Sequence, residues 1–156
     1  MDDARIQPLL ADLQSDTEAT RRQATTRLWQ LWFNQKGEPG MECLQRAQAC
    51  LEFGDVVRAE QLLSETISRY PDFAEAWNRR AVLYYALEDY PRSCSDCQRV
   101  VQLNPVHFGA WHGIGLCQME LGDYSEAITA FRQALAIQPY ATTNQQLILE
   151  CTLRLN

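Results

Sequence analysis

Cys94-Ser95-Asp96-Cys97 is the stretch whose residue types come closest to a chemical device. Two cysteines three apart can hold two corners of a zinc tetrahedron or supply the two sulfurs of a redox couple. Zinc needs two further ligands, and beyond the other cysteines only His107 and His112 are on offer. A redox pair works from a thiolate at a helix N-terminus in a βαβ setting, and no strand pattern surrounds this one. Both cysteines fall mid-helix by pattern, and Cys97 takes a position that holds Leu63 and Phe131 in the flanking segments. Core packing is therefore the expected role. Cys43 and Cys50, seven apart, fall on apolar core positions in the same way. Glu75 or Glu120 can be set beside His112, but residue types without a shared geometry are not a site. No glycine-rich phosphate loop, nucleophile elbow or metalloprotease helix motif occurs. The sequence predicts no catalytic residues, no metal, no cofactor and no enzyme. A cysteine-based metal or redox protein is the alternative reading.

The bulk properties narrow the classes further. At 156 residues the chain is one domain's worth, with 46% apolar and 22% charged residues. The net charge of −6 disfavours nucleic acid, whose binders draw affinity from basic side chains on phosphates. It also disfavours an anionic membrane surface. No apolar run approaches the ~20 residues a membrane-spanning helix needs. The start Met1-Asp2-Asp3-Ala4-Arg5 is acidic and has no apolar core of a secretory signal. Six cysteines without such a signal read as reduced thiols in a cytoplasmic setting.

The elements that carry these residues follow a fixed period. Trp77 and Trp111 are 34 apart, as are Asp89-Tyr90 and Asp123-Tyr124, and Pro71, Pro105 and Pro139. A period of this size means stacked supersecondary units. Paired helices are expected at about 41–53 and 56–69, 74–87 and 90–103, and 108–121 and 124–137. A last helix is expected from about Thr142 to Leu155, with Leu147, Ile148 and Cys151 inward and polar Thr142, Gln145 and Gln146 forming a solubilising end. Gly54 and Gly122 mark two of the inner turns, but Glu88 stands at the third, which implies a strained turn there.

Residues 1–35 lie outside the period. Ile6, Leu9, Leu10 and Leu13 fit one face of a short helix. Ser15-Asp16-Thr17-Glu18 has the pattern of a capping box and should open a helix to about Gln35. Lys36-Gly37-Glu38-Pro39-Gly40 should stop it. Trp29, Trp32 and Phe33 make that helix apolar on two faces. Covering the first repeat with one face and the short helix with the other is the expected arrangement. An exposed aromatic face for a second partner or for weak self-association is the alternative.

Trp111, Ile114-Gly115, Gly122-Asp123-Tyr124, Ala127, Phe131, Ala134 and Pro139 resemble the tetratricopeptide repeat signature in order and spacing. Trp77, Ala81, Tyr84, Tyr90, Cys97, Val100 and Pro105 continue the resemblance, as do Ala47, Gly54-Asp55, Ala59, Leu63 and Pro71. Cys43, Arg46, Arg80, Glu88 and Ser93 depart from it. The resemblance implies an all-α right-handed superhelix of antiparallel helix pairs, an α-solenoid of about nine helices. The segments are then an N-terminal capping pair at 1–39, repeats at 40–73, 74–107 and 108–141, and a capping helix at 142–156.

It also implies that the first helix of each repeat lines a concave groove. The groove residues are then Leu44, Gln48, Glu75, Asn78, Arg79, Val82, Tyr85, His112, Leu116 and Met119, with Gly109 and Gly113 leaving room for a ligand backbone. Chaperone-binding relatives clamp a terminal carboxylate with Lys, Asn and Arg. The matching positions here are Leu44, Gln48, Arg79, Gly109 and Gly113, so that clamp is absent. The function so implied is a protein–protein interaction adaptor or assembly factor that takes a peptide or helical segment in the groove.

Overall fold

The computed structural model describes residues 4–156, and Met1-Asp2-Asp3 lies outside them. Among the described residues the chain forms nine helices and no strand. They are α1 (Ile6–Asp12), α2 (Glu18–Phe33), α3 (Gly37–Glu52), α4 (Val56–Arg69), α5 (Ala74–Ala86), α6 (Tyr90–Leu103), α7 (Phe108–Glu120), α8 (Tyr124–Ile137) and α9 (Thr142–Leu155). Helices α3 to α8 pack as three successive pairs, and α9 packs on α8. The architecture is a tetratricopeptide α-solenoid.

Three local devices recur at the repeat spacing and explain the punctuation. Asp55, Asp89 and Asp123 cap α4, α6 and α8: each carboxylate accepts the backbone N–H three residues on, at 3.0, 3.3 and 3.2 Å. The residue before each aspartate is left-handed, with φ of +78° at Gly54, +60° at Glu88 and +81° at Gly122. That turn lets the aspartate N–H reach the carbonyl five residues back, on Cys50, Tyr84 and Gln118. At the opposite edge, the indoles of Trp77 and Trp111 donate to the carbonyls of Pro71 and Pro105 at 3.0 and 2.8 Å. Gln145 makes the same bond to the carbonyl of Pro139 at 3.2 Å. Helix α9 thus keeps the register of a repeat's first helix. Thr142, Gln145 and Gln146 are exposed and Cys151 is buried, but the helix also leaves Leu149 and Leu153 61% and 67% exposed.

The N-terminal segment differs from expectation in three ways. The capping box does not form: Ser15 Oγ accepts the Thr17 N–H at 3.1 Å, and Glu18 pairs with Arg22. Thr17 becomes the cap residue of α2, in extended conformation and without a side-chain bond. Helix α3 begins at Gly37, four residues before the expected start, because a proline in the first turn of a helix loses no hydrogen bond. The boundary placed at residue 40 therefore falls inside a helix.

Most consequentially, α2 does not cover the first repeat alone. It runs along the loops that join the repeats. Gln35 and Lys36 bond Asp72 at 3.2 and 2.7 Å. Trp29 and Trp32 pack on His107 and Phe108. Thr25 accepts from Gln138, and Arg21 lies 4.0 Å over the Tyr140 ring. Three aromatic side chains in two helical turns need more apolar surface than one repeat offers. The row of inter-repeat loops supplies it.

Glu88 carries a side chain in a backbone region that costs an L-residue about 1 kcal/mol or more. Glu88→Gly is expected to stabilise the protein by about 1 kcal/mol, raising Tm by about 2–4 °C. Gly122→Ala, where a Cβ meets nothing within 4 Å, should lower stability by about the same amount through backbone strain alone. Thermal denaturation of the two variants beside the parent measures both, and equal Tm values would show that the turn is unstrained.

Candidate functional site

The inner faces of α3, α5 and α7 form a groove with two adjoining apolar pockets. One, of about 200 Å³, lies between α3 and α5 and is lined by Leu44, Gln48, Leu51, Arg79, Val82 and Ala86 among others. The second, of about 170 Å³, lies between α5 and α7 and is lined by Asn78, Val82, Tyr85, Cys97, His112 and Leu116 among others. Val82 belongs to both, 60% exposed on the ridge between them. A valine so exposed on a helix otherwise packed on both sides leaves apolar surface free for another chain. The repeat register thus brings Leu44, Gln48, Arg79 and Val82 to one pocket and Asn78, Val82, Tyr85, His112 and Leu116 to the next.

Two of the sequence-predicted groove residues line neither pocket. Met119 packs with Leu116, Leu147 and Ile148 against the α8–α9 cluster. Glu75 is 1% exposed and so closed to a ligand. Its carboxylate accepts from Arg79 Nε at 3.0 Å and Asn78 Nδ2 at 3.4 Å, and meets His107 Nε2 at 3.1 Å. His107 in turn caps α7, its Nδ1 accepting the Ala110 backbone N–H at 3.0 Å. A backbone N–H can only donate, so the ring proton sits on Nε2 and points at Glu75. The imidazole stacks on Trp32, ring centroids 4.5 Å apart and 20° from parallel. This buried assembly joins α2, α5 and α7 and was not legible from the sequence, which lacks a motif for it. The one available signal was a histidine immediately before a helix start.

The glycines serve the protein's own packing. A Cβ on Gly109 would stand 2.7 Å from the Trp29 ring, and one on Gly113 would stand 2.8 Å from Cys97 Sγ. Both glycines also line the second pocket, so their lack of a side chain serves the packing on one side and leaves the pocket open on the other. The aromatic helix likewise offers no free face: Trp32 is 1% exposed, Trp29 and Phe33 are half-buried, and Arg79 lies 5.5 Å over the Phe33 ring. The alternative reading of Trp29, Trp32 and Phe33 as a second partner face thus meets side chains that the chain itself covers in large part.

Arg80 and Asp96 form a bidentate pair at 2.7 and 2.9 Å, and Arg80 also donates to Ser64 Oγ at 3.1 Å. Asp96 thereby explains the polar residue inside Cys94-Ser95-Asp96-Cys97: it anchors the arginine that replaces the usual apolar side chain. The two thiols lie in the core with Cys117. Burial, with the neighbouring Cys117 adding to it, pushes the Cys94 thiol up to about 11. Burial also raises Cys97, Cys117 and Cys151. Such thiols are protonated and poor nucleophiles near neutral pH. Among the described residues no three His, Cys, Asp or Glu side chains stand close enough to hold a metal ion. A third cleft, of about 330 Å³, lies between α2 and the α8–α9 loop, and its cations are engaged: Arg22 with Glu18, Arg21 with the Ser15 carbonyl. Among the described residues no helix is long and apolar enough to cross a membrane.

This chain belongs to the tetratricopeptide repeat family: two sequence profiles of that repeat match residues 44–105 and 109–140. It is 29% identical over 143 residues to a TPR repeat-containing protein of Rhizobium etli, an overlap of 91% of this chain and 70% of that protein. It is 28% identical over 85 residues to Hsp70-Hsp90 organizing protein 1 of Glycine max, of which it spans 14%. The first TPR of Spaghetti (RPAP3), solved bound to HSP90 peptide SRMEEVD, superposes with a TM-score of 0.71 at 18% identity, over 74% of this chain and 91% of that one. MamA of AMB-1 superposes with a TM-score of 0.68 at 23% identity, over 99% of this chain and 84% of that one.

The thiol chemistry is open to direct measurement. Iodoacetamide at pH 7.5, read by peptide mass spectrometry, is expected to label the half-buried Cys43 and Cys50 at least about tenfold faster than Cys94, Cys97, Cys117 and Cys151. Fast labelling of Cys94 or Cys97, or stoichiometric zinc in the native protein, would restore the metal or redox reading.

Proposed function

We propose that the protein is an interaction adaptor or assembly factor that holds a peptide or helical segment of a partner protein in the groove of α3, α5 and α7. The observation that carries this reading is the pair of apolar pockets on either side of the exposed Val82. Pockets about one side chain deep, spaced along a groove, suit alternate apolar anchors of a bound segment. The solenoids it resembles support the same mode, since one of them was solved with a peptide bound. The protein is proposed to act without catalysis and without a cofactor, in the cytoplasm, where six free cysteines stay reduced. It is not proposed to bind nucleic acid, given its acidic balance.

The mode of capture differs from a carboxylate clamp. Of the clamp positions only Arg79 is basic, and its guanidinium is bonded to Glu75 and laid against Phe33. Affinity must then come from apolar anchors filling desolvated pockets. Val82→Glu places a charge on the ridge between both pockets, and Tyr85→Ala removes a wall of the second. Quantitative pull-downs from the source cells are expected to lose one and the same partner about tenfold with each variant, a change of about 1.4 kcal/mol. Equal recovery of every partner with parent and variants would show the groove to be idle.

A further inference from the structure

The two long edges of the groove differ in charge. Along one edge α2 lies over the inter-repeat loops, and the cation there, Arg79, is neutralised by the buried Glu75. At the other edge the C-terminal ends of α3, α5 and α7 come together at the left-handed turns. Each helix end carries the negative pole of its dipole. Exposed carboxylates add to it. Glu52 sits beside the first pocket, within 3.4 Å of Gln48 Nε2. Glu120 ends α7 and Glu88 follows the end of α5, both exposed.

Between these carboxylates stand two aromatic rings. Tyr85, which walls the second pocket, meets Tyr90 at 5.4 Å between centroids with the planes at 63°. The hydroxyl of Tyr85 is raised first by burial and then by the charge of Glu120, and that of Tyr90 by burial, Glu120 and Glu88, so both carboxylates act on this pair. The nearby arginine on α6, Arg92, is turned away, paired with Asp89 and Glu60 and laid over Tyr84. An apolar pocket walled by Tyr85, with Tyr90 packed against that ring and carboxylates acting on both, favours a cation joined to an apolar stem.

We propose that the groove selects a protein segment carrying a lysine or arginine beside its apolar anchors, the anchors entering the pockets on either side of Val82 and the cationic head resting on Tyr85 and Tyr90 between Glu120 and Glu88. This rests on the groove being the binding site. Charge complementarity decides for it against an acidic C-terminal peptide, which would bring its carboxylates to the acidic edge with no free cation lining either pocket to receive them. Like charges brought together at an interface oppose binding, whereas opposite ones speed encounter and fix register.

The test is selection of a phage-displayed random dodecapeptide library on the full-length chain, on Val82→Glu, and on Glu52→Lys/Glu120→Lys. Both glutamates are exposed at helix C-termini, where a lysine complements the dipole, so the double variant keeps its fold by circular dichroism. The expected result is at least about threefold enrichment of Lys and Arg over the library, with Asp and Glu depleted. Peptides so selected should bind Glu52→Lys/Glu120→Lys and Tyr85→Ala about tenfold more weakly, with affinity falling as salt rises. Enriched peptides that are acidic or indifferent to charge, yet lose binding to Val82→Glu, would overturn the cationic partner and leave the groove standing. Peptides that bind Val82→Glu as well as the parent, or no enrichment above bare support, would overturn the groove itself.

Discussion

A single buried carboxylate holds the molecule in register. Glu75 lies on α5, yet its three partners come from α5 and from the residue that caps α7, and the imidazole among them is pressed against a tryptophan of α2. A carboxylate removed from water is costly unless its lone pairs are filled. Asn78 and Arg79 reach it from within α5, and the third group, His107, arrives only if α7 starts at Phe108 with Trp32 of α2 stacked behind the imidazole. The carboxylate thereby ties α2 and α7 to α5. Arg79 is drawn into the same arrangement, which is why the one basic side chain at the clamp positions is not free to meet a ligand. The neutralisation of the basic residue at the clamp positions follows from how Glu75 is satisfied.

The repeating part of the fold was legible in the sequence because its signals are local. Pro71, Pro105 and Pro139, the aspartate caps and the left-handed turn positions act within five or six residues of themselves, and their 34-residue spacing shows in the text of the chain. The placement of α2 was not legible. Trp29 and Trp32 announce that something must be buried, but their partners His107 and Phe108 lie far along the chain, with no periodicity to point at them. The same blindness misassigned Glu75. Register put it on the inner face of α5, and only the three-dimensional placement of α2 shows that this end of the face is covered. Asn78, Val82, Tyr85, His112 and Leu116 share a pocket because the register alone decides their direction.

The cysteine stretch makes a related point about motifs. Cys94-Ser95-Asp96-Cys97 draws notice through its sulfurs, but its consequential side chain is Asp96. That aspartate, Arg80 and Ser64 link three successive helices through a half-buried ion pair. Arg80 departs from the repeat pattern, and Asp96 stands between the two cysteines. Sixteen residues apart, the two departures account for each other. Irregularities in a repeat protein are better read in pairs across neighbouring helices than one at a time.

The course of α2 also changes what kind of object the solenoid is. Stacked repeats ordinarily touch only their neighbours, so such arrays loosen from their ends and flex like a spring. Here contacts span most of the chain, from Gln14 to the Ile137 carbonyl and from Gln138 to Thr25. A strut laid along the coils of a spring removes its stretch and bend. Fraying of the third repeat would have to pull Thr25 and the aromatic pair with it, which couples the two ends into one unfolding event. The groove width is then fixed by the fold, so for the proposed binding the entropy of fixing it would be spent during folding and not on association.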